Sequence, residues 1–169
     1  MRTAAFKGDK EFLSNFHPVP HGIFYNGIKY PSIEHAFVAA KLAPEERETN
    51  VDWQRLPGMT AGRAKREGRK FKLRPNWSEM RLSIMKELLV QKFAQGELRT
   101  LLLNTKDEYL EETNYWNDKF WGVCDGEGAN HLGRLLMEVR HMIGGPVPPI
   151  VTPKVRPKLP KLPGFDFGP

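Results

Sequence analysis

Residues 30–41 carry an acid and an amine at a spacing that can place both on one face of a helix. Pro31 disfavours a continuing strand and Ser32 is a good N-cap residue, so a helix is predicted to begin here. Glu34 then falls in the first turn, where a carboxylate suits the helix dipole. Lys41 follows about two turns later and returns to the face of Glu34. The two side chains either form the polar floor of a pocket or are solvated charges at the helix ends.

Two further groups of polar residues lie where a hydrophobic core would not need them. Asn15, between apolar neighbours, is either a turn residue or a ligand-binding amide. Residues 118–122 place Asp118 beside Trp121, and Glu111 ends the preceding apolar segment. Carboxylates beside tryptophans suit cleavage of a bond between a sugar and a flat ring. The aromatic face stacks on the ring, which contributes about 1–3 kcal/mol per base, and the carboxylates stabilise a sugar cation or activate water. Alternatively, the tryptophans Trp77, Trp116 and Trp121 are core residues.

The elements that must position these groups follow from turn and capping signals. Asn26-Gly27 between β-forming residues predicts a hairpin with a type I′ turn, which leads directly into the Glu34 helix. Thr60 is predicted to cap a helix over 61–67, which Gly68 ends.

Apolar periodicity predicts the remaining elements. A long core helix is expected over 79–95, opened by Ser78, and a short one ends near Asn104. Residues 109–113 resemble a strand. A last helix is expected over 129–143 and closes at Gly144. The basic run 69–74 is either a solvated strand-like segment or a phosphate-facing rim.

The composition is that of an ordinary folded protein. The chain has 169 residues, no apolar run as long as a membrane span, and no apolar stretch of the kind found in signal peptides. The single Cys124 excludes an internal disulfide and favours a reducing setting, so we expect a cytoplasmic protein with no membrane segment. One cysteine and five scattered histidines give no metal-ligand spacing, so we expect no metal site.

Composition also changes along the chain. After Gly145 the sequence is rich in proline and lysine, which predicts an extended tail over 146–169 and a folded domain over 1–145. The net charge of +6 permits anionic partners such as phosphates or nucleic acid, and half of that excess lies in the tail.

Six blocks of this sequence, in order along the chain, resemble those of the NADAR (YbiA-like) family. They are 12–16 (Phe-Leu-Ser-Asn-Phe), 30–37 (Tyr-Pro-Ser-Ile-Glu-His-Ala-Phe) with Ala40-Lys41, 72–77 (Lys-Leu-Arg-Pro-Asn-Trp), Ile84-Met85 with Lys92-Phe93, 118–122 (Asp-Lys-Phe-Trp-Gly) and 128–137 (Gly-Ala-Asn-His-Leu-Gly-Arg-Leu-Leu-Met). Two positions depart from the family pattern. Asn76 stands where Asp usually precedes the tryptophan, and Lys106 stands where glycine is usual.

The resemblance implies a mostly helical α+β single domain with a small β-hairpin, acting as an N-glycosidase without cofactor or metal. Similar proteins remove ADP-ribose from guanine in nucleic acid or nucleotides, or cleave small phosphorylated ribosylamines among the early riboflavin intermediates. Both reactions break a bond between an anomeric carbon and an exocyclic amine. A non-catalytic module that binds ADP-ribose or nucleic acid through the same pocket is the alternative of another class.

The resemblance also implies roles for individual residues. Lys41 either attacks C1 and takes over the sugar as a Schiff base, or contacts a phosphate or hydroxyl while water attacks directly. Glu34 moves the proton in the first mechanism, and Glu34 or Asp118 supports the water in the second. Trp121 is expected to stack on the base. The other residues expected to contact the substrate are Asn15, Phe16, Arg74, Trp77, Glu111, Gly122 and Asn130.

Overall fold

The chain folds mainly into helices, with three pairs of very short strands. The computed structural model describes residues 2–3, 6–150 and 152–155. The strands are β1 (Arg2–Thr3), β2 (Ile23–Tyr25), β3 (Ile28–Tyr30), β4 (Tyr109–Leu110), β5 (Thr113–Asn114) and β6 (Val123–Cys124). The α-helices are α1 (Ile33–Lys41), α2 (Val51–Arg55), α3 (Ala61–Gly68), α4 (Trp77–Phe93), α5 (Gly96–Asn104) and α6 (His131–Met142), with 3₁₀ turns at Gly8–Leu13, Pro44–Glu46 and Leu56–Gly58. The predicted mostly helical α+β class is confirmed.

The hairpin and the start of α1 form as their local signals predict. β2 and β3 pair antiparallel, and the turn residues Asn26 and Gly27 have φ of 49° and 76°, as a type I′ turn requires. The Ser32 hydroxyl accepts the His35 backbone N–H at the start of α1 and lies 2.7 Å from His35 Nδ1. His35 Nε2 is 2.8 Å from the Met59 carbonyl. These bonds fix the first turn of α1, which carries Glu34.

Helix α1 is buried on almost every side. Ala36, Ala39 and Ala40 have no exposed surface, so α3 and α4 can pack closely against it. Gly68 shows how close the approach is, because a Cβ atom there would lie 2.5 Å from Cγ1 of Val38. The alanines of α1 and Gly68 of α3 therefore let the two helices pack closely, which brings α3 alongside the face that carries Glu34 and Lys41.

Two helices begin at residues other than the predicted ones, because each follows an asparagine in the left-handed conformation. α4 begins at Trp77, after Asn76 in the left-handed conformation (φ 60°), so Ser78 lies inside the helix. α6 begins at His131, after Asn130 at φ 51°. Helix α2 was not predicted, and the run 79–95 ends earlier because Gly96 begins α5.

The predicted single strand over 109–113 is two separate strands. β4 pairs parallel with β1, and β5 pairs parallel with β6. Between them the side chain of Asn130 takes the place of a strand partner. Its Oδ1 accepts the Glu112 N–H at 3.0 Å, and its Nδ2 donates to the Leu110 carbonyl at 2.9 Å. Glu111 and Glu112 therefore separate the two strands.

Part of the proline-rich segment returns to the folded domain. Lys154 and Gly128 exchange two backbone hydrogen bonds, and Lys154 Nζ is 2.5 Å from Oε2 of Glu111. Of the predicted tail, residue 151 and residues 156–169 lie outside the described part of the chain. Within the described part, no helix combines the length and apolar character needed to cross a membrane.

Candidate active site

A cleft of about 550 Å³ brings together the N-terminal segment, α1, α3 and the segments that follow β4 and β5. All three residues predicted to be catalytic, Glu34, Lys41 and Asp118, line this cleft. The full lining is Phe6, Lys7, Ser14, Asn15, Phe16, Glu34, Phe37, Lys41, Lys65, Arg69, Met85, Glu112, Trp116, Asp118, Trp121 and Leu132. Glu34 and Lys41 therefore line a pocket and are not solvated charges at the ends of the helix.

Glu34 and Lys41 form the floor of the cleft. Glu34 is only 7% exposed, and burial raises the pKa of its carboxyl, against the opposing effect of Lys65, Lys41 and Arg69. Burial lowers the pKa of the Lys41 amine, Glu34 acts in the opposite direction, and Lys65 and Arg69 lower the pKa further. The Lys41 Nζ lies 5.6 Å from the centre of the Phe37 ring. The floor thus combines an amine that loses its proton readily with a carboxyl that can hold one.

The segment with Asn15 is fixed to two helices, which leaves its side chain free to face the cleft. The Ser14 carbonyl accepts a hydrogen bond from Lys92 Nζ at 2.8 Å, and the Asn15 carbonyl accepts the Glu34 N–H at 3.0 Å. Asn15 Nδ2 lies 3.7 Å from the Met85 sulfur, while its Oδ1 is buried with no partner among the described residues. Buried polar atoms normally have a partner, so this oxygen is suited to a donor on a ligand.

Glu112, and not the predicted Glu111, presents its carboxyl to the cleft. Its Oε2 is buried and has no hydrogen-bond partner in the described part of the chain. Burial raises the pKa of Glu112 to about 7, with Asp118 raising it further and the Phe6 backbone N–H, Lys65 and Lys7 opposing. Glu111 does not line the cleft and is ion-paired with Lys154.

The side chain of Asp118 also stabilises the loop over residues 118–121. Its Oδ1 accepts the backbone N–H groups of Phe120 at 3.1 Å and Trp121 at 2.8 Å. These bonds hold the Trp121 ring edge-on to Phe37, with centroids 5.4 Å apart. Asp118 therefore positions Trp121, which with Phe37 lines the cleft.

Besides Glu111, four other residues predicted to contact the substrate do not line the cleft. Arg74 donates to the Tyr25 hydroxyl at 3.0 Å, and Trp77 packs under Phe37 at 5.0 Å between ring centroids. Gly122 passes so close to the chain that a Cβ atom would lie 2.2 Å from the Glu112 carbonyl, and Asn130 holds the same segment through its side chain. Gly122 and Asn130 thus support the position of Glu112.

The positive wall of the cleft includes residues that the sequence reasoning did not select. Lys65 and Arg69 lie four residues apart, Lys65 on α3 and Arg69 directly after it, and Lys7 lies on the opposite segment. The basic run 69–74 divides in the structure. Arg69 faces the cleft, whereas Lys70 pairs with Glu67 and Lys72 lies near two glutamates at 3.4 and 3.5 Å. Helical i,i+4 spacing of Lys65 and Arg69 was the signal that could have identified them. Trp116, which was not among the residues predicted to contact the substrate, also lines the cleft.

Among residues 6–150 and 152–155, no group of three or more His, Cys, Asp or Glu side chains is placed to hold a metal ion.

Comparison with known proteins identifies the family. The NADAR domain model matches residues 5–144. The chain is 39% identical over 133 residues to the N-glycosidase YbiA of Escherichia coli, covering 78% of this chain and 80% of that protein. It is 33% identical over 139 residues to an N-glycosidase of Nostoc punctiforme, covering 78% and 84%. A riboflavin biosynthesis protein of Vibrio vulnificus is 36% identical over 133 residues, which are 76% of this chain and 34% of that protein. The NMR structure of Escherichia coli YbiA superposes with a TM-score of 0.69 at 33% identity, covering 85% of this chain and 83% of that one. This chain therefore belongs to the NADAR family.

Proposed function

We propose that this chain, an N-glycosidase of the NADAR family, removes ADP-ribose from guanine in nucleic acid or in a nucleotide. The main support is that the cleft contains buried side-chain oxygens that have no hydrogen-bond partner among the described residues. Among residues 6–150 and 152–155, only Asn15 Oδ1 and Glu112 Oε2 are side-chain oxygens in this condition, and both line the cleft with Lys41. Guanine and ribose supply N–H and O–H donors for them. Lys65, Arg69 and Lys7 supply cations for a diphosphate.

The first chemical step uses Lys41. Its lowered pKa makes a neutral amine available, and the neutral amine attacks C1 of the ribose. The C1–N bond breaks, and its electron pair remains on the exocyclic nitrogen. Glu34, which interacts with Lys41 along the same helix face, takes up the proton that the amine releases. Opening of the sugar ring then leaves the ribose joined to Lys41 as an imine.

Departure of guanine requires a proton on the exocyclic nitrogen. Glu112 is suited to donate it, because its pKa of about 7 keeps the carboxyl partly protonated at neutral pH. Trp121 lines the cleft, and we expect it to stack on the departing base. Water then adds to the imine carbon, and the Lys41 amine leaves to regenerate the enzyme. Two carboxyls with raised pKa values thus divide the proton transfers.

The first test is product release from guanine-ADP-ribosylated DNA, followed by mass spectrometry. We expect free ADP-ribose from the wild type, and a fall of about 10²–10⁴-fold in kcat for Lys41→Ala and for Glu34→Ala. Lys86→Ala is the matched control, since this lysine pairs with Glu138 outside the cleft. Borohydride should trap a covalent sugar adduct in the wild type and not in Lys41→Ala. Turnover without a trapped adduct would replace the imine by direct attack of water.

A second candidate substrate is the phosphorylated ribosylamine of riboflavin synthesis. The relative in Vibrio vulnificus that is named a riboflavin biosynthesis protein favours it. It contains the same type of bond and one phosphate for the cationic wall. Release of ribose phosphate from this compound alone would select it over ADP-ribosylated guanine. Binding of either compound without any turnover would instead indicate a binding module.

A further inference from the structure

Three aromatic side chains are exposed at the mouth of the cleft. Phe16 is 41% exposed, Trp116 is 52% exposed and Tyr115 is 84% exposed. Phe16 and Trp116 line the cleft, and Tyr115 stands edge-on to Trp116 with centroids 5.1 Å apart. Lys65 Nζ lies 5.4 Å from the Phe16 centroid and 6.0 Å from that of Trp116, so a cation joins the two rings. We call these three aromatic residues the aromatic rim.

The rim is held in place from below. The buried side chain of Asn114 closes the loop over 115–117, because its Oδ1 accepts the Asp118 N–H at 3.0 Å and its Nδ2 donates to the Asp118 carbonyl at 2.7 Å. Asn117 completes the turn at φ 64°. Trp116 is therefore presented to solvent by a loop with a fixed base, which reduces the entropy lost when a ligand stacks on it.

Burial orders the cleft from floor to mouth. Glu34 is almost fully buried at the floor, Lys65 is half-buried, Arg69 is exposed, and the rim rings are exposed. We therefore expect a substrate cleaved at the floor to meet Lys65 and Arg69 next, and the rim only if it extends further. We expect a compact ribosylamine phosphate to end at these cations.

We propose that the rim is a subsite for a second nucleobase, joined through phosphate either to the ribose whose bond is cleaved at the floor or to the nucleotide on the other side of that bond. This inference rests on the proposed function and specifies its substrate as an extended one. A nucleobase fits because stacking on an exposed ring contributes about 1–3 kcal/mol, and Lys65 and Arg69 accommodate the phosphates between. The base comes either from the adenine of ADP-ribose or from the neighbouring nucleotide of a strand.

The test compares Trp116→Ala with the wild type on three substrates. These are the phosphorylated ribosylamine, ADP-ribosylated guanosine monophosphate, and ADP-ribosylated guanine in a single-stranded oligonucleotide. We expect kcat/KM on an ADP-ribosylated substrate to fall about 5–150-fold relative to the compact substrate, mainly through KM, as loss of one stacked base implies. Trp116→Phe should recover most of the loss. Phe24→Ala is the matched control, because Phe24 is 52% exposed on the hairpin and does not line the cleft.

Each outcome decides between alternatives. Equal losses on the mononucleotide and the oligonucleotide assign the rim to the adenine, and a loss on the oligonucleotide alone assigns it to the neighbouring base. An equal fall on all three substrates overturns the rim proposal and leaves the glycosidase standing. If the wild type cleaves none of them, the proposed function fails. The rim is then tested by calorimetric binding of ADP-ribose against ribose 5-phosphate, where an unchanged ratio in Trp116→Ala overturns it.

Discussion

The carboxyl of Glu112 and the amine of Lys41 are each shifted toward their neutral forms by burial. The proposed reaction needs both neutral forms at once: an amine that can attack and a carboxyl that can donate. A neutral amine becomes more abundant as pH rises, and a protonated Glu112 becomes less abundant above pH about 7. The rate should therefore pass through a maximum, with Glu112 setting its alkaline side.

Glu112→Gln tests this assignment. Glutamine keeps the size of the side chain and cannot supply a titrating proton, so kcat should fall about 10²–10⁴-fold and the alkaline decline should disappear. The measurement is the pH dependence of kcat/KM between pH 5 and 9, a window of about two pH units on either side of that pKa.

Glu111→Gln is the adjacent control, because that carboxyl faces Lys154 and not the cleft. Its profile should keep the alkaline decline of the wild type. If Glu112→Gln retains that decline with near-normal kcat, another group donates the proton.

At the scale of elements, the sequence predicted best those bounds that depend on a few adjacent residues. Asn26-Gly27, Ser32 and Thr60 act through bonds within about one turn, and each element that they signal forms where expected. These local signals were enough to predict that Glu34 and Lys41 lie on one face of a helix, which is the floor of the cleft. The segment 109–113 could not be predicted in the same way, since Asn130 determines its course from about twenty positions further along the chain. That long-range contact decides that Glu112 faces the cleft, which local alternation did not reveal.

Asn130→Ala should therefore disturb an element and the site together. It removes the hydrogen bonds to the Glu112 N–H, the Leu110 carbonyl and the Tyr109 hydroxyl, and it places alanine at φ 51°. We expect the free energy of unfolding to fall by about 2–4 kcal/mol, together with a loss of kcat. Urea denaturation and turnover at a temperature where the variant is folded measure the two effects.

Asn130→Gly separates the two causes. Glycine relieves the backbone strain but does not restore the lost hydrogen bonds. Compared with Asn130→Ala, it should therefore recover about 1 kcal/mol of stability and none of the activity. Full recovery of kcat in the glycine variant would show that the side-chain bonds do not position Glu112.

At the scale of the whole molecule, the buried amine of Lys92 contributes to the dependence of stability on pH at alkaline values. Lys92 has no exposed surface, its Nζ donates to the Ser14 carbonyl, and burial lowers its pKa to about 7. An unfolded lysine has a pKa near 10.5. Between these values the unfolded chain binds a proton that the folded chain does not. The free energy of unfolding should therefore rise with pH across this window.

Lys92→Met should remove the part of that rise that Lys92 causes. Methionine matches the length of the side chain without a charge, so the variant should be more stable than the wild type at pH 7 by about 1–3 kcal/mol, after the lost hydrogen bond is counted. The advantage should shrink toward pH 10. Chemical denaturation at several pH values measures this. A wild-type curve that is flat from pH 7 to 10 would contradict the assignment of a neutral buried amine.

The bond from the Glu34 N–H to the Asn15 carbonyl has a consequence for experiments in solution. An amide in the first turn of a helix has no partner within that helix and would ordinarily exchange its hydrogen with solvent quickly. Here its protection depends on a segment that lies outside the helix and forms a wall of the cleft. Deuterium uptake at this single amide thus reports how often the wall detaches while α1 remains folded. Slower uptake on adding ligand would locate binding at the cleft before any product is formed.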